Sequence, residues 1–217
     1  MELHTFIGSP NSHKVEAVID HLGLEVELVY QDFLAGDLRT AGYLALNPNA
    51  MVPTLVDGGF KLWESNAITQ YLADKAGDQL LLPRDPRQRA EVLRWQFWEL
   101  AHFNRAFGTL VFDGVIRPRL NLGASNPALV AKGQADLTRF APVLEAHLAK
   151  RDYLVGDGIT IADYAILALE TYRDAVAFDW KPYGRINAYF DRLRETPSWV
   201  RTAAKDLSLV GRKPRAA

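Results

Sequence analysis

The sequence predicts an α/β module of order βαβαββα followed by an all-α helical domain. Three observations carry this prediction. Short runs of alternating apolar residues recur up to Trp63, and beyond Arg87 the apolar residues fall at helical spacing. Between these regions, Gln79 to Gln88 sets Pro83 and Pro86 among charges and has the character of a linker. The expected partition is a first domain over residues 1–78, a linker over 79–88 and a helical domain over 89–217.

The elements follow in order. Glu2 to Ile7 alternates and gives way to Gly8-Ser9-Pro10-Asn11-Ser12, a strand handing over to a helix start. Val15, Val18, Ile19 and Leu22 then recur at helical spacing before Gly23 stops the helix. Val26, Leu28 and Tyr30 mark a second strand over Glu25 to Tyr30, and a short helical piece is expected near Tyr43 to Leu46. Asn47-Pro48-Asn49 is a turn. Pro53 to Val56 and Phe60 to Trp63 form a hairpin about Asp57-Gly58-Gly59, and Ser65 to Ala76 forms a helix with Ile68, Tyr71 and Leu72 on one face. Further helices are expected over Arg87 to about Phe112, Ala128 to Lys150, Ile161 to Tyr172, Arg185 to Arg194 and Pro197 to Lys205.

Composition narrows the chemistry. The 217 residues include no cysteine, so any thiol chemistry must be brought by a ligand. No apolar run is long enough to span a bilayer, and the N-terminus lacks the pattern of a signal peptide, which makes a cytoplasmic location the expectation. Charge is unevenly spread. Residues 1–78 hold four Lys/Arg against eleven Asp/Glu (−7) and residues 79–217 hold 21 against 15 (+6), together the net −1. Such a split suits either a head-to-tail dimer or two separately solvated surfaces. The short basic tail Gly211-Arg212-Lys213-Pro214-Arg215 carries no aromatic residue, and nucleic-acid binding is not expected. The five histidines show no metal-ligand spacing, and no glycine-rich phosphate motif is present, so no metal is expected.

Ser9 stands where a strand meets a helix, and there free N–H groups and the positive helix end favour an anion. A hydroxyl at that place can donate to a thiolate. Asn11 and Ser12 share the turn and can donate instead, or any of the three can serve only as the N-cap. Glu64-Ser65-Asn66 opens the third helix, with a carboxylate for an ammonium group and a hydroxyl for a carboxylate, or with ordinary capping. Thr160 and Asp163 form a capping-box pattern, read as structural.

Together, Ser9-Pro10-Asn11-Ser12-His13-Lys14-Val15, Asn47-Pro48-Asn49-Ala50-Met51-Val52-Pro53 and Glu64-Ser65-Asn66-Ala67-Ile68 resemble the glutathione transferase family. The resemblance extends to Val155 through Asp163 and covers nearly the whole chain. It implies a thioredoxin-like first domain, a cis Val52-Pro53 bond, glutathione as co-substrate and a homodimer. It also assigns roles. Ser9 matches the catalytic serine of theta-, phi- and nu-like serine-type members, and Asn11 and Ser12 stand beside it as alternative donors. Arg39 falls where the family holds the glycine carboxylate, Val52 and Pro53 pair with the cysteinyl backbone, and Glu64 with Ser65 holds the γ-glutamyl end. Met51 departs from the usual Gln or Lys and cannot donate a hydrogen bond to glutathione.

The implied reaction is transfer of the glutathione sulfur to an apolar electrophile, with Phe103, Phe107 and Phe112 as candidates for its site. The same site could reduce a peroxide or disulfide, and Met51 together with the charge split would also suit a non-catalytic binding or scaffold protein.

Overall fold

The strand β1 (Glu2–Thr5) leads through α1 (Pro10–His21) to β2 (Glu27–Tyr30). After α2 (Ala41–Leu44) come β3 (Thr54–Asp57), β4 (Phe60–Trp63) and α3 (Ser65–Ala76). The sheet order is β2-β1-β3-β4; β1 runs parallel to β2 and antiparallel to β3, which pairs with β4 as a hairpin. The computed structural model describes residues 1–204. The basic tail Gly211-Arg212-Lys213-Pro214-Arg215 and Lys205, the expected end of the last helix, lie outside them.

Alternation sets the two faces of this sheet. Leu3 lies beside Leu55 across the β1–β3 ladder, and both are fully buried against Val15 and Ile19 of α1 and Ile68 and Leu72 of α3. On the opposite face, His4 and Thr54 are cross-strand neighbours packed near Tyr43 of α2, with the His4 and Tyr43 ring centres 5.7 Å apart. Thr40 caps α2 by accepting the Tyr43 N–H, which moves that helix ahead of the expected Tyr43 to Leu46. The other elements of this module form where the sequence places them.

The described residues divide into two compact units, Met1–Leu82 with the described residues from Thr196 on, and Pro83–Glu195. The expected partition assigned everything after residue 88 to the helical domain. The last helix, α10 (Pro197–Thr202), instead packs on α1, with the Trp199 ring against His13 and Arg201 paired to Asp20.

In the second unit the long helix expected up to Phe112 is divided. α4 (Pro86–Trp98) passes through a π-type turn at Glu99–Phe103 into α5 (Asn104–Val111), and a second π-type turn at Phe112–Ile116 leads to α6 (Arg117–Arg119). Each turn carries a buried carboxylate, Glu99 and Asp113, and Asp113 pairs with Arg117 at 3.1 Å. α7 (Pro127–His147) crosses α5 closely. A Cβ on Gly133 would meet Leu110 Cδ2 at 2.9 Å and the Ala106 carbonyl at 3.1 Å, so any larger residue there would have to push both aside. Leu137, Leu144 and Leu148 are buried as their spacing predicts, whereas Leu129 and Val143 face outward.

α8 (Ile161–Leu167) is wholly buried, and α9 (Gly184–Leu193) packs near the end of α7. Asp163 anchors this region. Its carboxylate accepts from the Thr160 N–H and O–H, the Leu154 N–H and the Tyr189 O–H, all within 2.9 Å. Burial pushes this carboxyl up from its ordinary value, and the four donors oppose the shift. The Asp163→Ala substitution would leave those donors unpaired in a dry interior. It is expected to cost about 3 kcal/mol or more of stability in urea unfolding, with Asp163→Asn costing less.

Candidate functional site

Ser9 is the N-cap of α1, with extended backbone (φ −78°, ψ 114°) and Pro10 at the first helical position. Its Oγ accepts the Ser12 N–H at 3.2 Å, and its carbonyl accepts the His13 N–H at 2.9 Å. These bonds use the hydroxyl oxygen as an acceptor and leave its proton to donate elsewhere. Pro10 has no N–H, so Asn11 carries the N–H of this turn that finds no partner among the described residues. Ser9 therefore caps the helix and keeps a donor as well. The Ser12 hydroxyl is enclosed, and it too lacks a partner among the described residues.

A second helix start meets the first. Ser65 opens α3, and its hydroxyl donates to Asn11 Oδ1 at 3.4 Å. Three residues along α1, the buried Lys14 ammonium donates to Asn66 Oδ1 at 2.8 Å. Glu64, the N-cap of α3, has φ 71° and ψ 108°, a conformation that side chains resist and that surrounding structure must impose. Its exposed carboxylate makes no ion pair among the described residues. Two positive helix ends, the Ser9 hydroxyl proton and the Glu64 carboxylate thus share one edge of the sheet.

The segment between α2 and β3 completes that edge. Val52-Pro53 is cis, as the family resemblance implies. Just before it, the Met51 carbonyl accepts from Tyr43 Oη at 2.5 Å, Asn47 Nδ2 at 2.9 Å and Thr54 Oγ1 at 3.4 Å. Met51 thus acts through its backbone, while its side chain is 66% exposed. Val52 is half-buried and makes no hydrogen bond among the described residues, so its N–H and C=O remain available to a peptide ligand. Arg39 sits on the 3-10 turn Asp37–Arg39, exposed and without an ion pair among the described residues.

The three candidate phenylalanines are treated differently. Phe103 and Phe107 are enclosed in the helical unit, each packed near Trp180, whereas Phe112 is 44% exposed with Arg117 over its ring. A half-open groove of about 580 Å³ lies at the end of α7, lined by His147, Lys150, Arg151, Asp152 and Tyr153 among others, and contains none of the candidate residues. Among the described residues no cluster of His, Cys, Asp and Glu could hold a metal ion, and no helix is long and apolar enough to cross a membrane.

Sequence reasoning passed over Tyr43, Thr54, Lys14 and His13. A buried lysine on a helix cannot be told from a solvated one by spacing alone. The polar pattern of Tyr43, Asn47 and Thr54 gains meaning only once α2 lies over the β1–β3 pair.

Comparisons with known proteins agree with this fold. Residues 1–74 match the family described as glutathione S-transferase, N-terminal domain, and residues 104–197 match the corresponding C-terminal domain. The chain is 36% identical to glutathione S-transferase 3 of Zea mays, over 90% of each chain. It superposes on glutathione S-transferase-I bound with lactoylglutathione with a TM-score of 0.83 at 27% identity, covering 93% of this chain and 97% of the other. The glutathione transferase URE2P6 from Phanerochaete chrysosporium, solved with oxidized glutathione, gives a TM-score of 0.83 at 26% identity, covering 93% of each.

Burial lowers His13 from 6.5 to about 4, only partly opposed by its hydrogen bond to the Trp199 carbonyl. The unfolded chain binds this proton more readily, so stability falls as pH drops from 6.5 toward 4. Urea unfolding at about pH 4.5 should show roughly 2 kcal/mol less stability from this group than at neutral pH. His13→Gln should flatten that part of the pH dependence.

Proposed function

Because the chain belongs to the glutathione S-transferase family, we propose that it holds glutathione across the starts of α1 and α3 and transfers its sulfur to an apolar electrophile. The observation that carries this reading is the Ser9 hydroxyl. Its oxygen is committed to the helix, and its proton is left to donate at a positive helix end. The chain has no thiol of its own, so the sulfur it activates is the ligand's.

The energetics suffice. A thiol of pKa about 8.5 is mostly protonated at neutral pH, and lowering it by about two units takes roughly 2.7 kcal/mol. A hydrogen bond to a charged group contributes about 1.5–3 kcal/mol and a helix end about 0.3–1 kcal/mol. The thiol proton leaves to solvent, and Ser9 donates to the thiolate that remains. The sulfur lone pair then forms a C–S bond as the electrophile's leaving group departs with its electrons. Val52 pairs with the cysteinyl backbone beside Pro53, Glu64 and Ser65 take the γ-glutamyl ammonium and carboxylate, and Arg39 takes the glycine carboxylate. Met51 contributes its carbonyl to the loop rather than a side chain to the ligand. Phe112, the exposed member of the three phenylalanines, offers the electrophile an apolar ring.

The working form in this reading is a homodimer, in which the acidic residues 1–78 of one copy attract the more basic residues 79–217 of the other. Sedimentation at rising salt is expected to shift the population toward monomer, and a dimer insensitive to salt would remove the electrostatic basis.

Ser9→Ala tests the site directly. The pKa of bound glutathione, followed by thiolate absorbance, is expected to rise by about one unit or more, with kcat on an aryl halide falling in step. An unchanged titration would move the donor role to Asn11 and, failing that, to Ser12.

A further inference from the structure

α10 is short, yet it grips α1 near both ends. At the first turn, the His13 ring stacks on the Trp199 indole with centres 3.7 Å apart and planes inclined by 32°. His13 Nε2 lies 3.1 Å from the Trp199 carbonyl. A carbonyl only accepts, so Nε2 carries the proton of the neutral ring. That carbonyl is one of the last four of α10, and the Thr202 hydroxyl also donates to it, at 3.4 Å. At the last turn of α1, Arg201 Nε lies 3.1 and 3.0 Å from the two carboxylate oxygens of Asp20. Trp199 is 4% exposed, so its ring has little freedom to move.

A short physical path runs from this contact to the thiolate donor. The stack holds His13 in place. The His13 N–H donates to the Ser9 carbonyl at 2.9 Å, the first backbone bond of α1. One residue earlier, the Ser12 N–H donates to Ser9 Oγ at 3.2 Å. The direction of the Ser9 proton therefore depends on the turn that His13 anchors. A tilt of that turn would misdirect the hydroxyl while leaving the residues of α3 and the Val52 segment where they are.

We propose that Trp199 and His13 are positioning residues for thiol ionisation, and that α10 braces the first turn of α1 so that Ser9 donates toward bound glutathione. This rests on the reading of Ser9 given above. It gives α10 a part in the chemistry although it lies far along the chain from every residue expected to touch the ligand.

The test is Trp199→Leu, with Trp199→Phe as the conservative variant, since phenylalanine keeps a ring against His13 and the backbone carbonyl is unchanged. Val200→Ala is the control on the same helix; that side chain is 54% exposed. In Trp199→Leu the pKa of bound glutathione should rise by about one unit, so that below the pKa the thiolate fraction and kcat fall about tenfold. KM for glutathione should stay within about twofold, because the contacts that bind the tripeptide are untouched. Trp199→Phe should titrate like the parent protein, and so should Val200→Ala. An unshifted thiol in folded Trp199→Leu overturns the proposal, as does an equal shift in Val200→Ala. If Trp199→Leu does not fold, His13→Leu takes its place, with the same shift expected and an unshifted thiol again decisive. Calorimetry with S-methylglutathione on the parent protein separates the two levels. No binding there defeats the functional reading itself, whereas normal binding with an unshifted variant defeats only the brace.

Discussion

The Ser12 N–H to Ser9 Oγ bond closes the first turn of α1, and it decides what the Ser9 hydroxyl can do next. A hydroxyl whose oxygen accepts from its own helix still has its proton to offer. Pro10 sharpens the effect, since it adds no N–H to the turn and leaves Asn11 as its open backbone donor. The helix end is thereby reduced to a few donors aimed outward, the arrangement an anion requires. Capping and thiolate stabilisation, alternatives in the sequence, are here the two sides of one hydroxyl.

That turn is useful only because it is held in register with two other segments. The starts of α1 and α3 are joined through Asn11–Ser65 and Lys14–Asn66, which sets the proposed sulfur and γ-glutamyl ends of the site side by side. Beneath both helices, Leu3, Leu55, Val15, Ile19, Ile68 and Leu72 make one apolar core, and burial of each such side chain contributes about 1.5–3 kcal/mol. The third segment is fixed from the opposite face of the sheet, where Tyr43, Asn47 and Thr54 converge on the Met51 carbonyl. Any residue at position 51 would supply that carbonyl, and the Met51 side chain itself brings no hydrogen-bond donor to a ligand.

Particular elements show how far local signals reach. The Gly58-Gly59 hairpin, the helix from Ser65 to Ala76 and the Thr160–Asp163 capping box all form at the residues that predict them, since each is set by neighbours a few positions away. Boundaries that depend on distant packing moved. The helix after the linker is interrupted by two π-type turns where Glu99 and Asp113 turn inward, and Phe103 and Phe107 became enclosed while Phe112 stayed exposed.

The sequence by itself determined the module order and the absence of a protein thiol, because these follow from composition and short-range spacing, and its motifs supplied the polar residues proposed to hold glutathione. Only the tertiary structure decided that Ser12 is shut in, that Lys14 is a buried link between helix starts, and that α10 belongs with α1 rather than with the helical unit. Residues 13 and 199 meet across 186 positions of chain. No periodicity spans such a distance; what joins them is the packing of one folded surface on another.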